Sequence, residues 1–206
     1  MILQNSLDNL LAPSLRKSIE TNLGKTTLNK IEQRLMERHG VGVVQAIKDF
    51  YKLDSVLREF FGAGADGIES KFVGNIINLD QSKKSSDNWV VIQDQFLAKI
   101  FLESFADDDK KAILEAGMDE PLIISDILNN CKIPQTSGYR KIHYLIDNGL
   151  LISNGYAVSP DGKKIQKYQT VFNNVKMEIE RKNIVVKVQL KMSSLSESTI
   201  LQIIQY

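Results

Sequence analysis

Cysteine occurs once in the 206 residues and histidine twice. The single Cys131 cannot close an intramolecular disulfide, and with His39 and His143 it makes no ligand set at zinc spacing. No apolar run reaches membrane-spanning length, and Met1-Ile-Leu-Gln-Asn5 lacks the basic start of a signal peptide, so a cytoplasmic protein with no membrane partner is expected. Nor do a nucleophile, a base and an orienting group stand in adjacent motifs, so no catalytic residue, metal or other cofactor is expected. Gly24-Lys25-Thr26 ends like a P-loop, but Ile19 stands where that motif needs its first glycine, and no strand precedes it. Gly62, Gly64 and Gly67 likewise lack the strand of a dinucleotide fingerprint and suit a tight interhelical turn. An enzyme is not expected.

What is present is enough apolar material, 43% of the chain, for one large or two small cores. Charge is sorted by region although the net value is only +1. Residues 1–79 hold 10 basic and 9 acidic residues, 80–131 hold 5 and 11, and 132–206 hold 11 and 5. A −6 segment is thus followed by a +6 segment, so the C-terminal third presents a field that a polyanion would feel.

The first eighty residues read as helices only. Leu3, Leu7, Leu10 and Leu11 form one stripe. Leu15, Ile19 and Leu23 form another after Pro13-Ser14, and Leu28, Ile31 and Leu35 a third that ends at His39-Gly40. Short helices follow over Val43 to Tyr51 and Asp54 to Phe61. Asp66 and Glu69 have capping-box spacing ahead of Ile68, Phe72, Val73, Ile76 and Ile77. Residues 1–79 are therefore expected to be a helical bundle.

Between Asp80 and Asn88 no apolar residue occurs, so 80–88 reads as a linker to a second domain over 89–206. The helix from Phe96 to Phe105 is apolar on most of its circumference, which suggests either a subunit interface in a homodimer, centred on Phe101, or burial between two parts of one chain. Asp107-Asp108-Asp109 suits the start of the next helix. A further helix spans Ile123 to Cys131, with Ser125 as its cap and Ile127, Leu128 and Cys131 turned inward.

Lys132-Ile-Pro-Gln-Thr-Ser-Gly-Tyr-Arg140 then breaks the chain and starts another helix, capped by Thr136 or Ser137. Tyr139, Ile142, Leu145 and Ile146 make its buried stripe. Gln135, Thr136, Ser137, Arg140, Lys141 and Tyr144 are left as donors for phosphates and base edges in the first turns of one helix. Asn148-Gly149 stops it and Leu150-Leu151-Ile152 is a strand. Asn154-Gly155 signals a hairpin whose return strand, from Tyr156, reaches Pro160-Asp161-Gly162. Lys163, Lys164 and Lys167 follow, with little opposing charge. Beyond Phe172, Val175, Met177 and Ile179 alternate, as do Ile184, Val186, Val188 and Leu190, on either side of Arg181-Lys182-Asn183, which predicts an added hairpin. The tail from Ser196 to Tyr206 suits a helix or a strand.

The phrases Ile133-Pro-Gln-Thr-Ser-Gly-Tyr-Arg140 and Leu145-Ile-Asp-Asn-Gly-Leu150, with the apolar strand after them, resemble the recognition helix and wing strand of ArsR-like and neighbouring winged helix-turn-helix regulators, many of them archaeal. The resemblance covers roughly residues 107–172. Gly138 departs from it, because a small apolar residue facing the core is usual there. Leu53 to Glu69 more weakly resembles the Nitrosopumilus output domain, which implies a regulatory module with an unknown effector or protein partner. The expected fold is mainly α with a small β part, a helical bundle followed by a winged helix with a hairpin extension. The expected function is DNA-binding transcriptional regulation, with residues 135–147 in the major groove of double-stranded DNA and the lysine-rich wing on the backbone. A winged helix that contacts another protein of the transcription machinery is the alternative.

Overall fold

A computed structural model describes residues 6–79, 88–181 and 183–204. Helix makes up 62% and strand 21% of it. The first helix, α1 (Ser6–Leu23), runs unbroken through Pro13, where two helices were expected. Leu7, Leu10, Leu11, Leu15 and Ile19 keep one buried stripe on both sides of the proline. Their burial offsets the roughly 3 kcal/mol that proline costs inside a helix. Leu3 lies outside the described residues. The next helix, α2 (Lys25–His39), buries Leu28, Ile31 and Leu35 and ends as expected at a left-handed Gly40 whose N–H bonds the Met36 carbonyl. Then come α3 (Val43–Ile47) and α4 (Phe50–Phe61), with their junction earlier than expected. The Phe50 N–H donates to Thr199 Oγ at 3.0 Å, so a hydroxyl far along the chain satisfies the start of α4.

A turn at Gly62–Gly64 leads to α5 (Ala65–Gly74). The predicted capping box is not formed: the helix already begins at Ala65, Asp66 bonds Arg58, and Glu69 is buried. Ile77, expected on this helix, opens strand β1 (Ile77–Leu79), which pairs antiparallel with β2 (Trp89–Ile92). Strand β2 pairs in turn with β7 (Asn183–Leu190), and β7 with β6 (Phe172–Glu180). The order β1-β2-β7-β6 contains the hairpin expected around Arg181. It also shows that residues 80–88, read as an interdomain linker, connect two strands paired with each other. Residues 80–87 lie outside the described residues, but Ile77 opposite Ile92 and Leu79 opposite Val90 put both flanks in one sheet. The apolar ends of both segments are buried against a shared core.

On this sheet lies α6 (Gln95–Ala106), capped by Asp94, whose carboxylate accepts from the Leu97 N–H at 2.8 Å and from Ser14 Oγ at 2.7 Å. Phe101 is 0% exposed, its ring 5.7 Å from that of Phe172, so it serves the core of its own chain and not a subunit face. As far as Ile204 the tail is helical, as α10 (Met192–Ser196) and α11 (Thr199–Ile204), and Gln205 and Tyr206 lie outside the described residues. It was assigned with residues 89–206, but α11 packs on α4 and α5. Asp8 of α1 fixes it there, accepting from Ser198 Oγ at 2.5 Å and from the Thr199 N–H and hydroxyl at 2.9 and 2.5 Å.

The remaining segment has its own small sheet. Helix α7 (Asp108–Asp119) is followed by β3 (Leu122–Ile123), α8 (Ile124–Asn130), α9 (Gln135–Asp147), β4 (Leu151–Val158) and β5 (Lys164–Thr170), with strand order β3-β5-β4. Asp107 caps α7 through the Lys110 N–H at 2.9 Å. Ser125 does not cap α8, because Leu122 and Ile123 are drawn into pairing with Tyr168 and Lys167 and the helix begins at Ile124. Asn154-Gly155 is a bulge inside β4 and not a hairpin: Gly155 takes φ 75° and pairing with β5 resumes at Tyr156. The chain reverses instead at Ser159–Lys163, where Ser159 N–H donates to the Lys163 carbonyl at 2.9 Å and Gly162 takes φ 79°. Among the described residues no helix is long and apolar enough to cross a membrane.

Candidate nucleic-acid interface

Two backbone turns set the position of α9. After α8, Lys132 takes φ 55°, its N–H bonds the Asn129 carbonyl at 3.1 Å, and the Ile133 N–H reaches back to Leu128 at 3.0 Å. That is a Schellman closure, with Leu128 and Ile133 both buried. The same pattern ends α9, where Gly149 takes φ 71° and the Leu150 N–H bonds the Leu145 carbonyl at 2.9 Å. A Cβ on Gly149 would lie 2.6 Å from the Leu10 backbone, so the end of α9 rests directly on α1. Gly138 is buried as well, and a Cβ there would strike the Leu128 side chain. The close approach of α9 to α8 thus leaves space only for glycine at this position.

The inward stripe is Gly138, Ile142 and Leu145. Tyr139, expected inside, is 42% exposed. Neither Thr136 nor Ser137 caps the helix, which begins at Gln135 after Pro134; Ser137 Oγ donates to the Pro134 carbonyl at 3.2 Å. Gln135, Thr136 and Arg140 are exposed and Ser137 half-buried. Among the described residues, Arg140 makes no ion pair or side-chain hydrogen bond.

Lys141 and Tyr144 correct the expected site. Lys141 Nζ lies 2.7 and 2.9 Å from the Asp107 oxygens and 3.0 Å from Asp109 Oδ2, with its side chain only 20% exposed. The hydrogen bond to Asp107 raises the pKa of Lys141. Burial would push the Asp107 carboxyl up, but its bonds from Lys141 and the Lys110 N–H outweigh burial and hold it below the ordinary range. The pair ties α9 to the start of α7, since two carboxylates 34 and 32 residues upstream neutralise a cation the sequence leaves open. Tyr144 also faces inward, with Lys110 Nζ 4.3 Å from its ring centre and its hydroxyl within 3.5 Å of Glu103. Burial first, and then Glu103, raise its pKa.

The lysines after the turn do not share one surface. Lys163 is 81% exposed and pairs with Asp161 at 2.9 Å. Lys164 and Lys167 are three residues apart on the regular strand β5 and therefore project to opposite faces, Lys167 opposite Ile123 and half-buried. The exposed stripe of α9 includes two residues not assigned to it from sequence, Tyr139 and His143. Helical spacing carries the signal: with Gly138 as the inward residue, Thr136, Tyr139, Arg140 and His143 fall on the outer side.

Beside this unit, a cleft of about 260 Å³ lies where α1 and Lys48 face β4 and β5, lined in part by Asn9, Lys48, Asp147, Gln166 and Tyr168. No protein-family model, curated protein or solved structure matches the chain.

Proposed function

We propose that the protein is a cytoplasmic DNA-binding transcriptional regulator of the ArsR-like, archaeal type, in which residues 107–172 act as a winged helix-turn-helix. In this reading α9 lies in the major groove and the turn between β4 and β5 is a wing along the backbone. One observation carries it. The order α7, β3, α8, α9, β4, β5, with β3 added to the sheet on β5, supports this reading by supplying the elements it requires, and it leaves Gln135, Thr136 and Arg140 exposed on the first turns of α9. Arg140 reads a base edge, while Lys163 and Lys164 supply phosphate contacts. Gly149 against Leu10 couples α9 to the N-terminal helices, and the cleft beside them is the place for an effector. The protein works as a homodimer, and the exposed Ile179 and Met192 are apolar surface available to a second copy.

Selection of bound fragments from genomic DNA tests this directly. A shared sequence bound with a steep salt dependence supports the reading. Recovery of random fragments, or of none, favours a protein-interaction module instead. The observation behind that second reading is the wing itself, which exposes Tyr156, Val158 and Ile165, apolar groups better suited to a protein surface than to phosphate.

A further inference from the structure

Asp54 on α4 and Asp66 and Glu69 on α5 converge across the Gly62–Gly64 turn, and one carboxylate oxygen of each lies within 4.8 Å of the others. Acidic clusters at a surface are common. Glu69 sets this one apart, because it is 0% exposed and its oxygens meet no N–H or hydroxyl donor; the one group close enough to share a proton with it is the Asp54 carboxyl, itself a member of the cluster. The contrast with Asp8 is direct, since that carboxylate is equally buried but accepts from Ser198 and Thr199. A buried carboxylate without donors loses its hydration with nothing in return, unless a proton or a cation neutralises it. Burial, reinforced by the neighbouring Asp54 charge, holds the Glu69 acid up at about 8. The cation at the cluster is Arg58, with Nε 2.7 Å from Asp54 and a second guanidinium nitrogen on Asp66. It forms no ion pair with Glu69 among the described residues.

We propose that Asp54, Asp66 and Glu69 form a binding site for a divalent cation. An all-oxygen, three-carboxylate donor set suits a hard ion such as Mg2+, Mn2+ or Ca2+, with water completing its shell. Asp66 and Glu69 are three residues apart on one helix and therefore share a face, and Asp54 comes from the helix before. The ion joins α4 to α5, the two helices that α11 packs against. Arg58, whose side chain is 44% exposed, has room to swing outward as the ion takes its oxygens. The site does not depend on the DNA-binding reading and is tested separately.

Mn2+ is the probe, titrated into the full chain near neutral pH and followed by loss of the free-ion electron paramagnetic resonance signal. The expected result is one ion per chain, with a dissociation constant at or below about 1 mM, and a Tm that rises with Mn2+. Asp66→Asn alters an exposed side chain and leaves the fold intact; it should weaken binding by at least about tenfold. Glu69→Gln should abolish binding. Arg58→Gln should strengthen it, because the competing guanidinium is gone. No binding by the parent at such concentrations, or binding by Asp66→Asn equal to the parent's, overturns the proposal. Weaker binding by Arg58→Gln would also contradict it. A Glu69→Gln chain of higher Tm beside a parent that ignores Mn2+ would mean that Glu69 holds only a proton.

Discussion

On the flank of α9 that faces α7, Lys141 and Tyr144 are held by Asp107, Asp109, Lys110 and Glu103, whereas on the open flank Gln135, Thr136, Tyr139, Arg140 and His143 are left to solvent or to a ligand in full or in part. The two flanks carry similar donor types. Their difference teaches that a basic or aromatic residue on a helix is available for recognition only when the neighbouring element supplies no partner. Here the −6 and +6 segments of the chain fold against each other, and part of the positive field is spent at Asp107 and Asp109 before DNA could feel it.

The most disruptive way to break the comparison is to move the helix itself. Gly138→Val places a branched side chain against Leu128 and Ile133 and should lower stability by about 3 kcal/mol, the upper range for overpacking. Thermal unfolding reads the loss, and DNA binding should fall with it on every sequence. A smaller effect is expected from Lys141→Ala. Losing the tie to Asp107 and Asp109 should cost about 1 kcal/mol, the upper end for an ion pair that is still partly open to solvent. The sign with pH follows from the depressed Asp107 carboxyl: the contribution is complete above the ordinary value of 3.8 and is lost as acid takes the pH below it. Denaturant curves for parent and Lys141→Ala should therefore differ at neutral pH and converge in strong acid.

The reverse experiment sharpens the comparison. Asp107→Asn loosens Lys141 and should turn it toward solvent, raising affinity for random duplex DNA and steepening the slope of log affinity against log salt by up to about 0.9 for one added phosphate contact. Unchanged slopes would mean that Lys141 stays with Asp109. The smallest effects belong to the turn between β4 and β5 that we propose as a wing. Lys163→Ala and Lys164→Ala should each reduce the salt slope by about one where the lysine touches phosphate. Lys167→Ala, on the opposite face of β5 from Lys164, should leave it unchanged. Equal effects at Lys164 and Lys167 would contradict a wing that presents one edge to DNA.

Local pattern was enough wherever the deciding interaction is local. The hairpin of β6 and β7 follows from alternation around Arg181, the end of α2 from Gly40, and the start of α7 from Asp107. Failures occur where a distant partner decides. Pro13 looks like a break until the stripe on both sides of it is buried. Asn154-Gly155 suits a bulge as well as a hairpin, and only pairing with β5 chooses between them. Two residues, Leu122 and Ile123, are too few to read as a strand without Tyr168 and Lys167 opposite. The tail could not be placed without Asp8, which is 190 residues away from Ser198. In the candidate site, exposure of Gln135, Thr136 and Arg140 follows from helical phase, but the loss of Lys141 depends on a carboxylate from another helix.

The central claim is that the open flank of α9 reads bases, and Arg140→Ala tests it most directly. The measurement is the ratio of affinities for a selected genomic fragment and for random duplex DNA, compared between the parent and the variant at one salt concentration. The account predicts that Arg140→Ala loses about 1–3 kcal/mol on the selected fragment and far less on random DNA, so that the ratio collapses while the unfolding free energy stays within about 0.5 kcal/mol of the parent's. A ratio equal to the parent's, with both affinities lowered together, would contradict base reading by Arg140 and leave it as a phosphate contact.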